Sequence, residues 1–200
     1  MKNIELEFRA EIRKSEEAGL ESKLKRFSKK LVSRRLSVMH LGEIGNKKYD
    51  IRVRVDSLGN SEVVLKKGHF HTHDREEYSV KINKTQIIPF VQIFSAFGFE
   101  TKVTERVNEL YNLRGGIKLV WVKAKHISYV ELEKMTDKAH KDEDGKKLTT
   151  LMGSIGIRKI NKNQFNDLCD RLTKEVDFVF KPGKKDFQKV TRILEKYMLS

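Results

Sequence analysis

A two-residue alternation of apolar and charged side chains, repeated along the chain, constrains its fold more than any other feature. From Ile4 to Ile12 the even positions hold Ile4, Leu6, Phe8, Ala10 and Ile12, and the odd ones Glu5, Glu7, Arg9 and Glu11. An extended strand puts residues i and i+2 on one side, so this segment has an apolar face and a face of three acids and one arginine. The period returns in 49–55, where Tyr49, Ile51, Val53 and Val55 alternate with Asp50, Arg52 and Arg54. It returns again in 62–67 (Glu62, Val64 and Lys66 together), in 75–82 (Arg75, Glu77, Ser79 and Lys81 together) and in 102–111. Two more strands are predicted at 117–122 and 127–133, the latter with Val130 and Leu132 opposing Glu131 and Glu133. Turn signals such as Leu58-Gly59-Asn60 and Arg114-Gly115-Gly116 separate them.

Between the strands lie amphipathic helices. Leu20, Leu24, Phe27 and Leu31 predict one over 15–31, and a second runs over 85–97, with Pro89 in its first turn and Gly98 at its end. After an expected loop at 142–145, Leu148, Leu151, Met152 and Ile155 form one stripe, and Phe165, Leu168, Cys169 and Leu172 another. Beyond Pro182-Gly183 a last helix carries Phe187, Val190, Ile193, Leu194 and Tyr197. One strand with a charged face is ordinary, its charges meeting water. Some seven of them, mixing Arg and Lys with Glu, beside helices whose apolar stripes need a partner, fit a barrel turned apolar side out. Its interior is then a charged channel, which is costly unless its charges are paired or filled by an anion and a metal.

Charge supports this. The net charge is +14, which draws polyanions: nucleic acid, anionic membrane or phosphorylated small molecules. Arg9, Arg52, Arg54, Lys66, Arg75 and Arg106 are positioned to hold phosphate oxygens, Arg by its bidentate fork. The pairs Glu5/Glu7 and Glu131/Glu133 crowd carboxylates on one face and invite a hard, oxygen-loving cation, Mg²⁺ or Mn²⁺. No apolar run is long enough for a membrane span, and no basic-then-apolar leader opens the chain. A lone cysteine excludes an internal disulfide, so a reducing cytoplasm is expected, with no membrane partner.

Other features read as structure. His69, His71 and His73 fit a solvated hairpin turn, Trp121 and Cys169 fit the core, and 142–145 lacks the ligand spacing of a calcium loop. The lysine-rich stretch 23–35 fits a solvated helix face or a landing patch for a polyanion.

In order, these residues resemble the CYTH domain, the triphosphate tunnel metalloenzyme superfamily, of the class IV adenylate cyclase–thiamine triphosphatase type. The resemblance rests on Glu5-Leu6-Glu7-Phe8-Arg9, on Arg52-Val53-Arg54, on Lys66-Lys67-Gly68, on Arg75-Glu76-Glu77, on Phe97-Gly98-Phe99, on the basic strand with Arg106, and on Glu131-Leu132-Glu133. It covers roughly residues 4–175. It implies an α+β fold: an eight-stranded antiparallel β-barrel tunnel with a charged interior, covered by helices. It also implies a tunnel domain over 1–178 with a helical extension at 179–200. The implied activity is divalent-metal-dependent hydrolysis of a triphosphate: inorganic tripolyphosphate, thiamine triphosphate or ATP. Glu5, Glu7, Glu131 and Glu133 would hold Mg²⁺ or Mn²⁺, Glu5, Glu7, Glu77 and Arg9 would act in catalysis, and the six basic residues above would bind phosphates. The same site could serve a class IV adenylate cyclase or an RNA 5′-triphosphatase acting on an RNA 5′ end. The chain departs from the family pattern at Arg9 (lysine in the family), at Asn108 (a basic residue), at Val120 (aspartate) and at 37–41, where the family's Asp-x-Tyr is missing. A non-catalytic polyphosphate- or nucleotide-binding tunnel is therefore the third reading, and the chain would act as a monomer or homodimer.

Overall fold

The first strand, β1 (Ile4–Glu11), shows that a charged face need not be a wet one. Leu6, Phe8 and Ala10 are buried, and so are Glu5, Glu7 and Arg9, at 7%, 5% and 7% exposure. A strand with one face in water would leave those three open, whereas a strand in a barrel wall has both faces covered. This computed structural model describes residues 4–26, 30–68, 74–180 and 184–198. His69, His71 and His73, Phe27 and Pro182-Gly183 lie outside them.

After β1 come α1 (Glu17–Leu24), β2 (Lys30–Ile44), β3 (Lys47–Asp56), β4 (Ser61–Lys67), β5 (Asp74–Lys81), α2 (Ile87–Ser95) and β6 (Glu100–Asn112). Then follow β7 (Ile117–Ala124), β8 (Ile127–Thr136), α3 (Lys141–Ser154), α4 (Lys162–Glu175), β9 (Phe178–Phe180) and α5 (Lys184–Met198). The strand order is β2-β3-β4-β5-β1-β8-β7-β6, and β2 also pairs with β6. The fold is thus α+β, a closed eight-stranded antiparallel barrel with five helices. The short β9 is added to β6, with Thr101 opposite Phe180 and Val103 opposite Phe178.

Two compact units divide these elements. In the first, the outward residues Leu6, Phe8, Ala10, Leu119, Trp121, Val130 and Leu132 pack with Leu20 and Leu24 of α1 and with Leu148 and Met152 of α3. In the second, Leu36, Val38, Val53 and Val55 pack with Ile87 and Val91 of α2 and with Val190 and Leu194 of α5. In each unit buried apolar strand residues meet helices, as the sequence pattern predicts, but Tyr78 and Val80 of β5, expected on an apolar face, are exposed. Burying such a side chain contributes roughly 1.5–3 kcal/mol. None of the helices among the described residues is long and apolar enough to cross a membrane.

Three sequence expectations need correction. The helix predicted over 15–31 stops at Leu24, and β2 starts at Lys30, so Lys30–Arg35 belong to a strand and not to a helix face. Leu31, placed on the apolar stripe of that helix, is an exposed strand residue. The expected loop at 142–145 is the first turn of α3. Asp142, Glu143 and Asp144 there sit at the positive end of the helix dipole. Asp144 is buried and accepts hydrogen bonds from Lys134 Nζ at 2.7 Å and Thr136 Oγ1 at 2.8 Å, which ties α3 to β8.

Candidate metal centre and phosphate-binding residues

The β1–β8 ladder builds the acidic site. Glu7 stands opposite Glu133 and Arg9 opposite Glu131, and direct partners in an antiparallel pair project to one face. Glu7, Glu131 and Glu133 offer carboxylate oxygens that all lie within 4.8 Å of one another. Three carboxylates brought so close repel, and burial adds to that cost. Burial first, and then the charge of Glu7, push the Glu131 carboxyl above the usual range. Arg9 relieves part of the strain. Its Nε donates to Glu131 Oε1 at 3.0 Å, it forms an ion pair with Glu7, and its guanidinium lies 4.1 Å from the Phe165 ring centroid. Burial opposes the charge on Arg9, but Glu7 and Glu131 more than offset it and hold its pKa above the ordinary value.

The three carboxylates carry more negative charge than the Arg9 guanidinium alone offsets. Hard oxygen donors at this spacing suit Mg²⁺ or Mn²⁺, which usually take one or two carboxylates together with water and phosphate oxygens. The residues therefore fit a divalent cation. Glu5 lies two residues before Glu7 on the same face, buried and opposite both Arg75 of β5 and Met135 of β8. It is not among the three whose oxygens cluster, within the described residues.

The second unit gathers most of the predicted phosphate-binding cations. Asp50, Arg52 and Arg54 of β3 stand opposite Lys66, Val64 and Glu62 of β4, so the six residues share a face. Arg52 donates from Nε and Nη2 to both oxygens of Asp50, at 2.8 and 2.6 Å. Arg54 Nη1 reaches Glu62 at 3.3 Å, and Lys66 Nζ lies 2.8 Å from Glu77. Arg54 Nε is buried and meets no acceptor among the described residues, which leaves a donor for an anion to satisfy. Arg106 of β6 is paired with Asp177 at 2.7 Å.

Two residues of this arrangement escape sequence reasoning. Asp50 could have been found, because it shares the period-two face of Arg52 and Arg54. Asp177 has no local signal, since only the return of the chain along β6 brings it to Arg106. At the positions that depart from the family pattern, Val120 is buried opposite Glu131, and Asn108 is buried opposite Val122.

No family sequence model matches the chain, and no curated protein matches it either. Solved structures do. A conserved hypothetical protein from Pyrococcus furiosus superposes with a TM-score of 0.62 at 18% identity, covering 77% of this chain and 91% of its own. The chain shares the fold of these proteins, a closed eight-stranded antiparallel barrel with helices. A Pyrococcus horikoshii protein matches with a TM-score of 0.60 at 17% identity, over 82% of this chain and 97% of its own. A candidate adenylate cyclase from Vibrio parahaemolyticus matches at 0.61 and 14%, over 80% and 95%. At these identities the likeness is one of fold, and function has to be argued from the site.

Proposed function

We propose that this chain is a divalent-metal-dependent triphosphatase that hydrolyses an inorganic or organic triphosphate. The observation that carries this reading is the Glu7, Glu131 and Glu133 cluster within 4.8 Å, on the tunnel fold. Glu7, Glu131 and Glu133 hold Mg²⁺ or Mn²⁺, with Glu5 on the same strand face completing the acidic set. A divalent ion bound there supplies charge neutralisation and Lewis acidity toward phosphate oxygens.

The remaining work falls to side chains. Arg9, Arg52, Arg54, Lys66, Arg75 and Arg106 bind and orient the phosphates, the free Nε of Arg54 being one donor already waiting. Glu77, beside Lys66, orients the attacking water. Phosphoryl transfer depends on positioning and electrostatic stabilisation, so no side-chain nucleophile is needed.

A second reading keeps these residues and changes the attacking group. The Vibrio parahaemolyticus neighbour is a candidate adenylate cyclase, and in that reaction the ribose 3′-hydroxyl of ATP takes the place of water. One experiment separates them: purified protein is incubated with tripolyphosphate, thiamine triphosphate, ATP or triphosphate-ended RNA, with Mg²⁺ or Mn²⁺, and the products are resolved. Orthophosphate release is the expected outcome. Cyclic AMP with pyrophosphate would assign the cyclase, and tight binding without turnover of any substrate would leave a binding tunnel.

A further inference from the structure

The Asp177 carboxylate is buried against two cations of β6. Its side chain is 1% exposed, with Arg106 Nη2 at 2.7 Å and Lys102 Nζ at 3.8 Å. Lys102 and Arg106 lie four residues apart on β6, hence on one face, and Lys102 Nζ also donates to Thr173 Oγ1 at 2.9 Å. Asp177 comes from the segment that returns along β6, one residue before the Val103–Phe178 pair, which places it on the Lys102 and Arg106 face and not on that of Val103.

The way this carboxylate is held is unusual for one so deep. Neither of its oxygens receives a hydrogen bond of good geometry among the described residues, although Arg106 is near enough to give one. Buried carboxylates that serve only as anchors are normally satisfied by aligned donors, as Asp144 is by Lys134 and Thr136. Asp177 is held by the charge of both cations and not by aligned donors. A phosphate group has more oxygens and more charge to offer the same two cations.

We propose that Lys102 and Arg106 form an anion subsite for a phosphate of the substrate, and that Asp177 is its resident counter-anion, competing with that phosphate and setting how tightly it is held. The inference rests on the triphosphate reading above for the class of ligand, and it adds Lys102 and Asp177 to the residues that set specificity. It extends to any substrate with a phosphate chain, because the subsite reads charge and oxygens only.

The test is binding of inorganic tripolyphosphate, measured by calorimetry in EDTA so that no turnover intrudes, together with melting temperature with and without the anion. Asp177→Asn keeps the shape and removes the charge. It should bind tripolyphosphate about tenfold tighter, the effect of about 1.4 kcal/mol of released competition. Its melting temperature should fall without the anion, since Lys102 and Arg106 lose the Asp177 charge, and should rise more on adding tripolyphosphate than that of the unsubstituted protein. A purely structural Asp177 would lower the melting temperature with no anion rescue, and unchanged or weaker binding by folded Asp177→Asn would overturn the proposal. Lys102→Met, which leaves the Asp177–Arg106 pair intact, should weaken binding, and equal affinity in that variant would also overturn it. Failure of hydrolysis is read separately: a protein that binds tripolyphosphate in EDTA but releases no phosphate with Mg²⁺ or Mn²⁺ loses the triphosphatase reading and keeps this subsite.

Discussion

Arg9 donates its Nε hydrogen to Glu131, its partner across the β1–β8 ladder, at 3.0 Å. The bond fixes Glu131 beside Glu7, and so sets the spacing of the carboxylates that a divalent cation would need. Replacing either acid of the second pair tests that role. Glu131→Gln and Glu133→Gln each keep the side-chain shape and remove one ligand charge, and phosphate release with Mg²⁺ should fall by about 100-fold or more. Undiminished turnover in these variants would remove the metal assignment.

Arg9 itself predicts a reciprocal effect of metal on stability. Arg9→Met leaves Glu7 and Glu131 crowded without their buried counter-charge, which should cost roughly 3 kcal/mol in a denaturant titration. Mg²⁺ can restore the missing positive charge, so millimolar Mg²⁺ should stabilise this variant more than the unsubstituted protein. Equal stabilisation of both would show that the cation binds away from these carboxylates.

How far the sequence could be read depended on how cleanly each strand separated its two faces. In β1 every second residue is acidic or basic, in β8 Glu131 and Glu133 stand two apart, and the register puts Glu5, Glu7, Glu131 and Glu133 on one face. In β2 the signal fails. Leu36, Val38 and His40 face the helices, but Met39 and Leu41, opposite Arg52 and Asp50, make the other face apolar too, so the period of two disappears. The helical spacing of Leu20, Leu24, Phe27 and Leu31 then carries the predicted helix too far. Of the candidate site, the sequence spacing places the acids and most of the cations on shared strand faces. The carboxylate partners were less so, and Asp177 was invisible because its place is fixed by tertiary structure alone.

Gly42 of β2 marks a close approach in the second unit. A Cβ at this position would run into the ring of Phe99, which itself stacks on Phe97 with centroids 5.8 Å apart. The ring is stiff and sits just before β6, so relief requires both aromatic residues to move. Gly42→Ala should therefore destabilise the protein by roughly 1–3 kcal/mol, the usual cost of overpacking. A second substitution that shortens the obstacle, Phe99→Leu, should recover part of the loss in the double variant, and purely additive losses would mean that the clash is relieved elsewhere.

His40 gives stability a pH dependence of known sign. It is fully buried on the outward face of β2, with Nδ1 3.1 Å from Thr101 Oγ1, the Phe94 ring 5.8 Å away, and Nε2 without a partner among the described residues. Burial disfavours the imidazolium and lowers the pKa to about 4. The folded pKa thus lies below the unfolded one of about 6.5. Between those values the unfolded chain takes up a proton that the folded chain refuses, so stability is lost as pH falls from about 6.5 toward 4 and changes little from this source above 7. The full difference is roughly 3 kcal/mol. Carboxylates such as Asp144, whose pKa is lowered to about 2, first by its bond from Lys134, add their own losses at lower pH, so the His40 share has to be isolated by substitution. His40→Asn keeps a polar group near Thr101 and cannot titrate. Denaturant midpoints measured from pH 8 to pH 4 should slope less in this variant than in the unsubstituted protein, and identical slopes would show that the ring is hydrated in solution.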